Sequence, residues 1–127
     1  MSNHFTKDRQ QITSTLESIG MKVDANQPEV IYPNQILLES ASYKAGQTFN
    51  AFEATYRAIV VLKAHDAQSA LKAADTAINA ICDATAKSYA ADLTEISELY
   101  NLQDGQMNIY PAFNITLISQ IDLNERK

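Results

Sequence analysis

The sequence predicts an α+β fold, with an N-terminal helix, an antiparallel sheet of about four strands and one long alanine-rich helix packed on it, in the order α-β-β-α-β-β. Two segments, Glu53 to Ala64 and Ala112 to Leu123, alternate in side-chain character with the period of two that a pleated strand imposes. Between them, Ala67 to Ser88 carries apolar and small residues at helical spacing behind a capping aspartate. The chain has 127 residues, 46% of them hydrophobic and 20% charged, which is ordinary globular composition and fits one domain over residues 1–127.

The first element is expected from Phe5 to Ile19, because Phe5, Ile12, Leu16 and Ile19 fall on one helical face. Lys7, Asp8, Arg9, Gln10 and Gln11 lie between them and prefer water. The narrow apolar face places this helix on a surface and not through the core. Gly20 suits the left-handed position after the last turn, with Met21 able to reach back to Leu16.

Met21 to Gln35 contains Pro28 and Pro33, which cannot donate to a ladder, so it reads as a loop or at most an edge strand. Ile36 to Tyr43 reads as a strand, and Lys44 to Ala51 as a polar connection through Gly46. Glu53 to Ala64 is the strongest strand. Ala54, Tyr56, Ala58, Val60 and Leu62 fall on one side; Thr55, Arg57, Ile59, Val61 and Lys63 fall on the other. Residues 36–43 and 53–64 form a long hairpin.

Asp66 supplies an N-cap for the helix from Ala67 to Ser88. Its stripe is Leu71, Ala74, Ile78, Ile81 and Thr85, flanked by Ala70, Ala77 and Ala84. Asp75, Asn79 and Asp83 mark the wet face. Leu93 to Leu102 reads as a strand through Ile96, Leu99 and Tyr100, and Asp104-Gly105 as a turn. The last strand begins near Met107 and is interrupted at Pro111. From Ala112 on, Phe113, Ile115, Leu117, Ser119, Ile121 and Leu123 face one way, and Asn114, Thr116, Ile118, Gln120 and Asp122 the other.

Charge and composition bound the function classes. The formal net charge is −5 and the Lys and Arg residues are dispersed. Clustered cations are what displace phosphate counterions, so double-stranded DNA is not an expected direct ligand. The single cysteine, Cys82, allows no intrachain disulfide and is expected to pack as a small buried hydrophobe. The residues Met1 to Lys7 lack an apolar signal core, and no apolar run approaches a membrane span, so the expectation is a soluble protein made in the cytoplasm.

No constellation for chemistry is expected. His4 and His65 are far apart, without metal-ligand neighbours at a recognised spacing. Glu95 and Glu98, and Asp75 and Asp83, read as solvated-face acids, not as a general acid–base pair. Gly20, Gly46 and Gly105 are isolated and make no phosphate loop. No catalytic residue, metal site or cofactor is therefore assigned. Phe49 and Phe52 stand out instead, since they lie in or beside a polar connection. They either tuck back onto the core or anchor a partner subunit.

The order of these elements resembles the tail-terminator (tail-completion) proteins of long-tailed bacteriophages, the lambdoid minor tail protein family. The likeness covers roughly residues 5 to 123. It runs from the helix ending at Gly20, through Pro33 into Ile36-Leu37-Leu38-Glu39, the strand Ala54 to Leu62, the helix Ala67 to Lys87, Asp104-Gly105 and the strand Ala112 to Leu123. The resemblance implies a non-enzymatic virion protein that forms a homohexameric ring. Such a ring caps the tail tube, stops its polymerisation and joins the tail to a head-completion or neck protein. DNA passes through the lumen without specific binding, which the net negative charge would suit if acids point inward, and there is no membrane partner. Thr55, Arg57, Ile59 and Val61 are then candidates, with Phe49 and Phe52, for an inter-subunit surface that includes a sheet edge. A head-completion or neck adaptor is the neighbouring reading. A small enzyme or ligand-binding domain is the reading from another class, and it requires a deep pocket with convergent polar groups.

Overall fold

The structure is a computed structural model that describes residues 3–24, 29–39 and 41–123; Pro28, Ser40 and the terminal residues lie outside these segments. Helix α1 (His4–Glu17) begins at Asn3, whose side-chain oxygen accepts from the Phe5 and Thr6 N–H groups at 3.0 and 3.1 Å. It ends before Ile19. The Ile19 and Gly20 amides bond to the Leu16 and Glu17 carbonyls, three residues back, which tightens the last turn. Gly20 has the expected left-handed φ of +93°.

The strands are β1 (Lys22–Asp24), β2 (Gln35–Leu38), β3 (Ser42–Ala45), β4 (Ala51–Val61), β5 (Asp92–Ile96), β6 (Tyr100–Gln103) and β7 (Ile109–Asp122), with α2 (Ala67–Ser88) between β4 and β5. The sheet has a two-strand spine. β4 and β7 pair antiparallel along all of β4, from Ala51↔Asp122 to Val61↔Ala112. β2 and β3 lie on the far side of β4, and β5 and β6 on the far side of β7.

The expected strands 36–43 and 93–102 are thus each split in two, for the same reason. Leu38 pairs with Ala58 and Ser42 with Thr55, so the register steps by one between these two rungs. Ile96 pairs with Ile115 and Tyr100 with Ala112, so residues 97–99 face only 113–114. One extra residue on each flank breaks the ladder as a bulge does. At the second break the Ser97 hydroxyl substitutes for a backbone partner, accepting from the Asn114 N–H at 2.8 Å. β1 pairs in parallel with β2, where the sequence reading expected an all-antiparallel sheet with at most an edge strand.

Pro111 does not interrupt β7. Its carbonyl accepts from the Leu62 N–H at 2.9 Å, just beyond the end of β4. A residue's N and O point to the same side of a strand, so the proline forfeits only the reciprocal bond at the last rung.

The core lies between one face of the sheet and the two helices. Tyr56, Ala58 and Val60 of β4 and Phe113, Ile115 and Leu117 of β7 meet Ile12 and Leu16 of α1 and Ala74, Ala77 and Ile81 of α2. Both faces of β4 and β7 fall as the alternation predicts. Two helix expectations are corrected. α1 contributes fully buried side chains, and Asp8, assigned to water, is only 8% exposed. On α2 the buried line is Ala70, Ala74, Ala77, Ile81 and Thr85, and Leu71 is turned out to solvent. The small residues let the helix axis approach the sheet, and the closest line is the alanine line. Cys82, expected in the core, is exposed one position beyond Ile81. The capping box at Asp66 is complete: its carboxylate accepts from the Ser69 N–H at 2.7 Å, and the Ser69 hydroxyl accepts from the Asp66 N–H at 3.2 Å. Among the described residues no helix is long and apolar enough to cross a membrane.

Candidate interaction surface

The second face of the sheet is covered at one end only. There Leu37, Ile59, Val61, Ala112 and Ile31 form a small cluster, flanked by Tyr100, Leu102 and Tyr110. The loop that carries Ile31 is held down by Asp104. One Asp104 oxygen accepts from the Ile31 N–H and from Asn108 Nδ2, the other from the Gln106 and Asn108 N–H groups, all at 2.9 Å. Burial pushes this carboxyl up, but the hydrogen bonds from Asn108, Ile31 and Gln106 outweigh it and hold it down at about 2. Gly105 completes the clamp. Its N–H donates to the Glu29 carbonyl at 3.0 Å, and a Cβ there would meet Glu29 Cγ at 3.1 Å.

The other end of this face is open. Cross-strand partners share a face, so the pairs Glu53↔Gln120, Thr55↔Ile118 and Arg57↔Thr116 place those six side chains together on it. Asp92 and Glu95 of β5 join them through Ile118 and Thr116. Lys44 joins through Glu53, with which it forms an ion pair at 3.2 Å.

The sequence candidates therefore separate. Thr55 and Arg57 lie on the open face. Ile59 and Val61 are buried beneath the second cluster, and β4 is a central strand paired on both sides, so it offers no sheet edge. Alternation alone put these four residues on one side; only the loop clamped by Asp104 divides that side into covered and open halves. Phe52 tucks inward and stacks edge-on with Phe5 at 5.7 Å between ring centroids, while Phe5 also meets Tyr43 at 4.9 Å. Phe49 stays out, 82% exposed at the tip of the β3–β4 hairpin. That turn closes through Gly46 N–H to the Ala51 carbonyl at 2.8 Å, with Asn50 at φ 57°.

The open sheet edges lie on other strands than the one the sequence pointed to. β3 pairs with β4 alone and is exposed along its whole length; β5 and β6 pair with β7 alone on the opposite side. Tyr43 and Ile96 are 40% and 39% exposed, although both lie on the core-side face, because among the described residues no strand continues the sheet beyond them.

Two surface depressions flank these elements. One, of about 600 Å³, is bounded by the β3–β4 turn and the end of β7 and includes Lys44, Gln47, Glu53 and Gln120. The other, of about 550 Å³, lies between the end of α1 and α2 and is lined by Met21, Leu62, Ala73 and Ala77. The buried polar group formed by Asp8, Tyr56 and Ser119 lines neither of them. Among the described residues, no three His, Cys, Asp or Glu side chains gather as a metal site would require. His65 is exposed beside Asp66 at 3.4 Å, and His4 begins α1. No protein-family model and no curated protein matches this chain.

Proposed function

We propose that this protein is a structural part of a phage tail: a terminator whose copies close into a hexameric ring on the end of the tail tube, halt its growth and present a surface to a head-completion or neck protein. The element order α1, β2–β3, β4, α2, β7 is the basis of the likeness to that family. The observation that carries the reading is the pair of unlike open edges, β3 on one side of the sheet and β5 with β6 on the other. A ring of identical copies needs two different, complementary surfaces on each copy, because a self-complementary patch stops at a dimer. The exposed Phe49 at the hairpin tip supplies an aromatic anchor for a neighbour or for the tube. The open face sets Glu53, Asp92, Glu95 and Asp122 against Lys44 and Arg57. Facing a lumen, that acidic balance would let DNA slide past without adhering.

The test is native mass spectrometry across protein and magnesium concentrations, with negative-stain images of the same samples, followed by addition of purified tail tubes. The expected result is a closed hexameric ring that caps tube ends. Binding to portal or head proteins with no affinity for tube ends would replace the terminator with a neck adaptor.

A further inference from the structure

Helix α2 ends on Tyr89, whose backbone lies in the left-handed region at φ 54° and ψ 19°. Glycine adopts that conformation freely, whereas a residue with a Cβ is strained in it. Burial does not offset the strain, because Tyr89 is 91% exposed. The other described non-glycine residues at positive φ differ from it. Asn34 and Asn50 are of the type that tolerates this region, and Met107 sets its sulfur 3.1 Å from Gln103 Nε2. The carbonyls beside Tyr89 are also open. Its N–H donates to the Thr85 carbonyl at 3.2 Å, and among the described residues no hydrogen bond reaches the carbonyls of Ala86, Lys87 and Ser88. This helix end therefore presents a large ring with a polar tip beside the negative end of the helix dipole.

A matching surface lies on the first half of the same helix. The depression of about 550 Å³ between the end of α1 and α2 has Ile19, Met21, Leu62, Ala73 and Ala80 among its lining residues, and no carboxylate lines it. Lys72 also lines it, and among the described residues it forms no ion pair. The size is that of pockets that seat small ligands, so an aromatic ring fits. A lysine there suits the last carbonyls of a helix. Tyr89 lies about 24 Å along α2 from Ala73, so a chain cannot fill its own groove with this ring.

We infer that the C-terminal end of α2 in one copy docks in the α1–α2 groove of another, an inference that rests on the self-assembling reading above. The Tyr89 ring covers the apolar floor, and Lys72 meets the open carbonyls. The contact joins two unlike surfaces, as a ring of identical copies requires. It also accounts for a tyrosine where glycine would serve the fold better: the strained, exposed ring acts on the neighbour.

The test uses the full chain and native mass spectrometry. Tyr89→Gly removes the ring and leaves the groove; Ala73→Trp fills the groove and leaves the ring. Each variant should stay monomeric where the parent assembles, and Tyr89→Gly should melt no lower than the parent. Mixed together, the two should form one-to-one heterodimers and nothing larger, joined by the single intact contact. Lys72→Glu, an exposed change that does not depend on how Ala73→Trp folds, should weaken assembly about tenfold with an unchanged melting temperature. Assembly of Tyr89→Gly at parental strength, or mixtures without heterodimers, would overturn the contact, and hexamers in the parent would then leave the ring reading standing. A parent that forms only dimers, lost on Tyr89→Gly, would uphold the contact and remove the ring. A parent that stays monomeric to millimolar concentration would overturn the contact, with tube capping deciding the ring reading separately.

Discussion

The phenol of Tyr56, on the central strand, donates a 2.6 Å hydrogen bond to Oδ2 of Asp8 on α1, 48 residues away. The other carboxyl oxygen of Asp8 accepts from the Ser119 hydroxyl on β7. One buried carboxyl thus ties the N-terminal helix to both strands of the spine. Asp8→Ala should leave two buried hydroxyls without their acceptor and cost about 2–4 kcal/mol, while Tyr56→Phe should cost about 1–2 kcal/mol. Urea unfolding of both variants and the double variant checks this. The double variant should lose less than the sum, because the two changes break one shared bond.

The same bond sets a limit at alkaline pH. Burial first, and then the hydrogen bond to Asp8, raise the Tyr56 phenol far above its ordinary value. The folded protein therefore keeps this proton where the unfolded chain, titrating near about 10, gives it up. Stability from this group is complete below about pH 10 and declines as pH rises beyond it. Tyrosinate absorbance should show one tyrosine of the six ionising only together with unfolding.

At acid pH the clamp at Asp104 is the sensitive point. Its folded-state value, about 2, lies below the unfolded one, so its contribution is complete above about pH 4 and is lost as pH falls toward about 2. The amides of Ile31, Gln106 and Asn108 should lose hydrogen-exchange protection across that window. Asp104→Asn, which retains one acceptor oxygen, should flatten the dependence.

The alanine line of α2 should tolerate no enlargement. Ala74→Leu places a larger side chain where the helix meets the sheet and should cost about 1–3 kcal/mol. Leu71→Ala, on the exposed side, should change thermal stability by less than about 0.5 kcal/mol. Equal effects at the two positions would mean that the helix is rotated from the face described.

Phe49→Ala should lower the denaturation midpoint by only a small amount, because the residue is 82% exposed. It should weaken capping of tail tubes, or self-assembly, by at least tenfold, as loss of an aromatic anchor does. Sedimentation of the variant with and without tubes separates the two.

Much of the architecture was written in local pattern. The period of two over 53–64 and 112–123, the helical stripe behind Asp66 and the glycine after the first helix fixed the spine, α2 and the end of α1, since each depends on side chains within one element. Asp8 was legible too: it stands four residues before Ile12 and eight before Leu16, hence on the buried face, but its charge argued for water more loudly than its spacing argued for burial. What the sequence could not supply was the set of distant pairings. The register steps between Leu38 and Ser42 and between Ile96 and Tyr100 exist only relative to β4 and β7. Ile59 and Val61 become buried because Asp104 draws down a loop 73 residues away in sequence. The interaction surface moved for the same reason, since an edge is defined by the absence of a neighbouring strand, and neighbours are assigned by the tertiary fold alone.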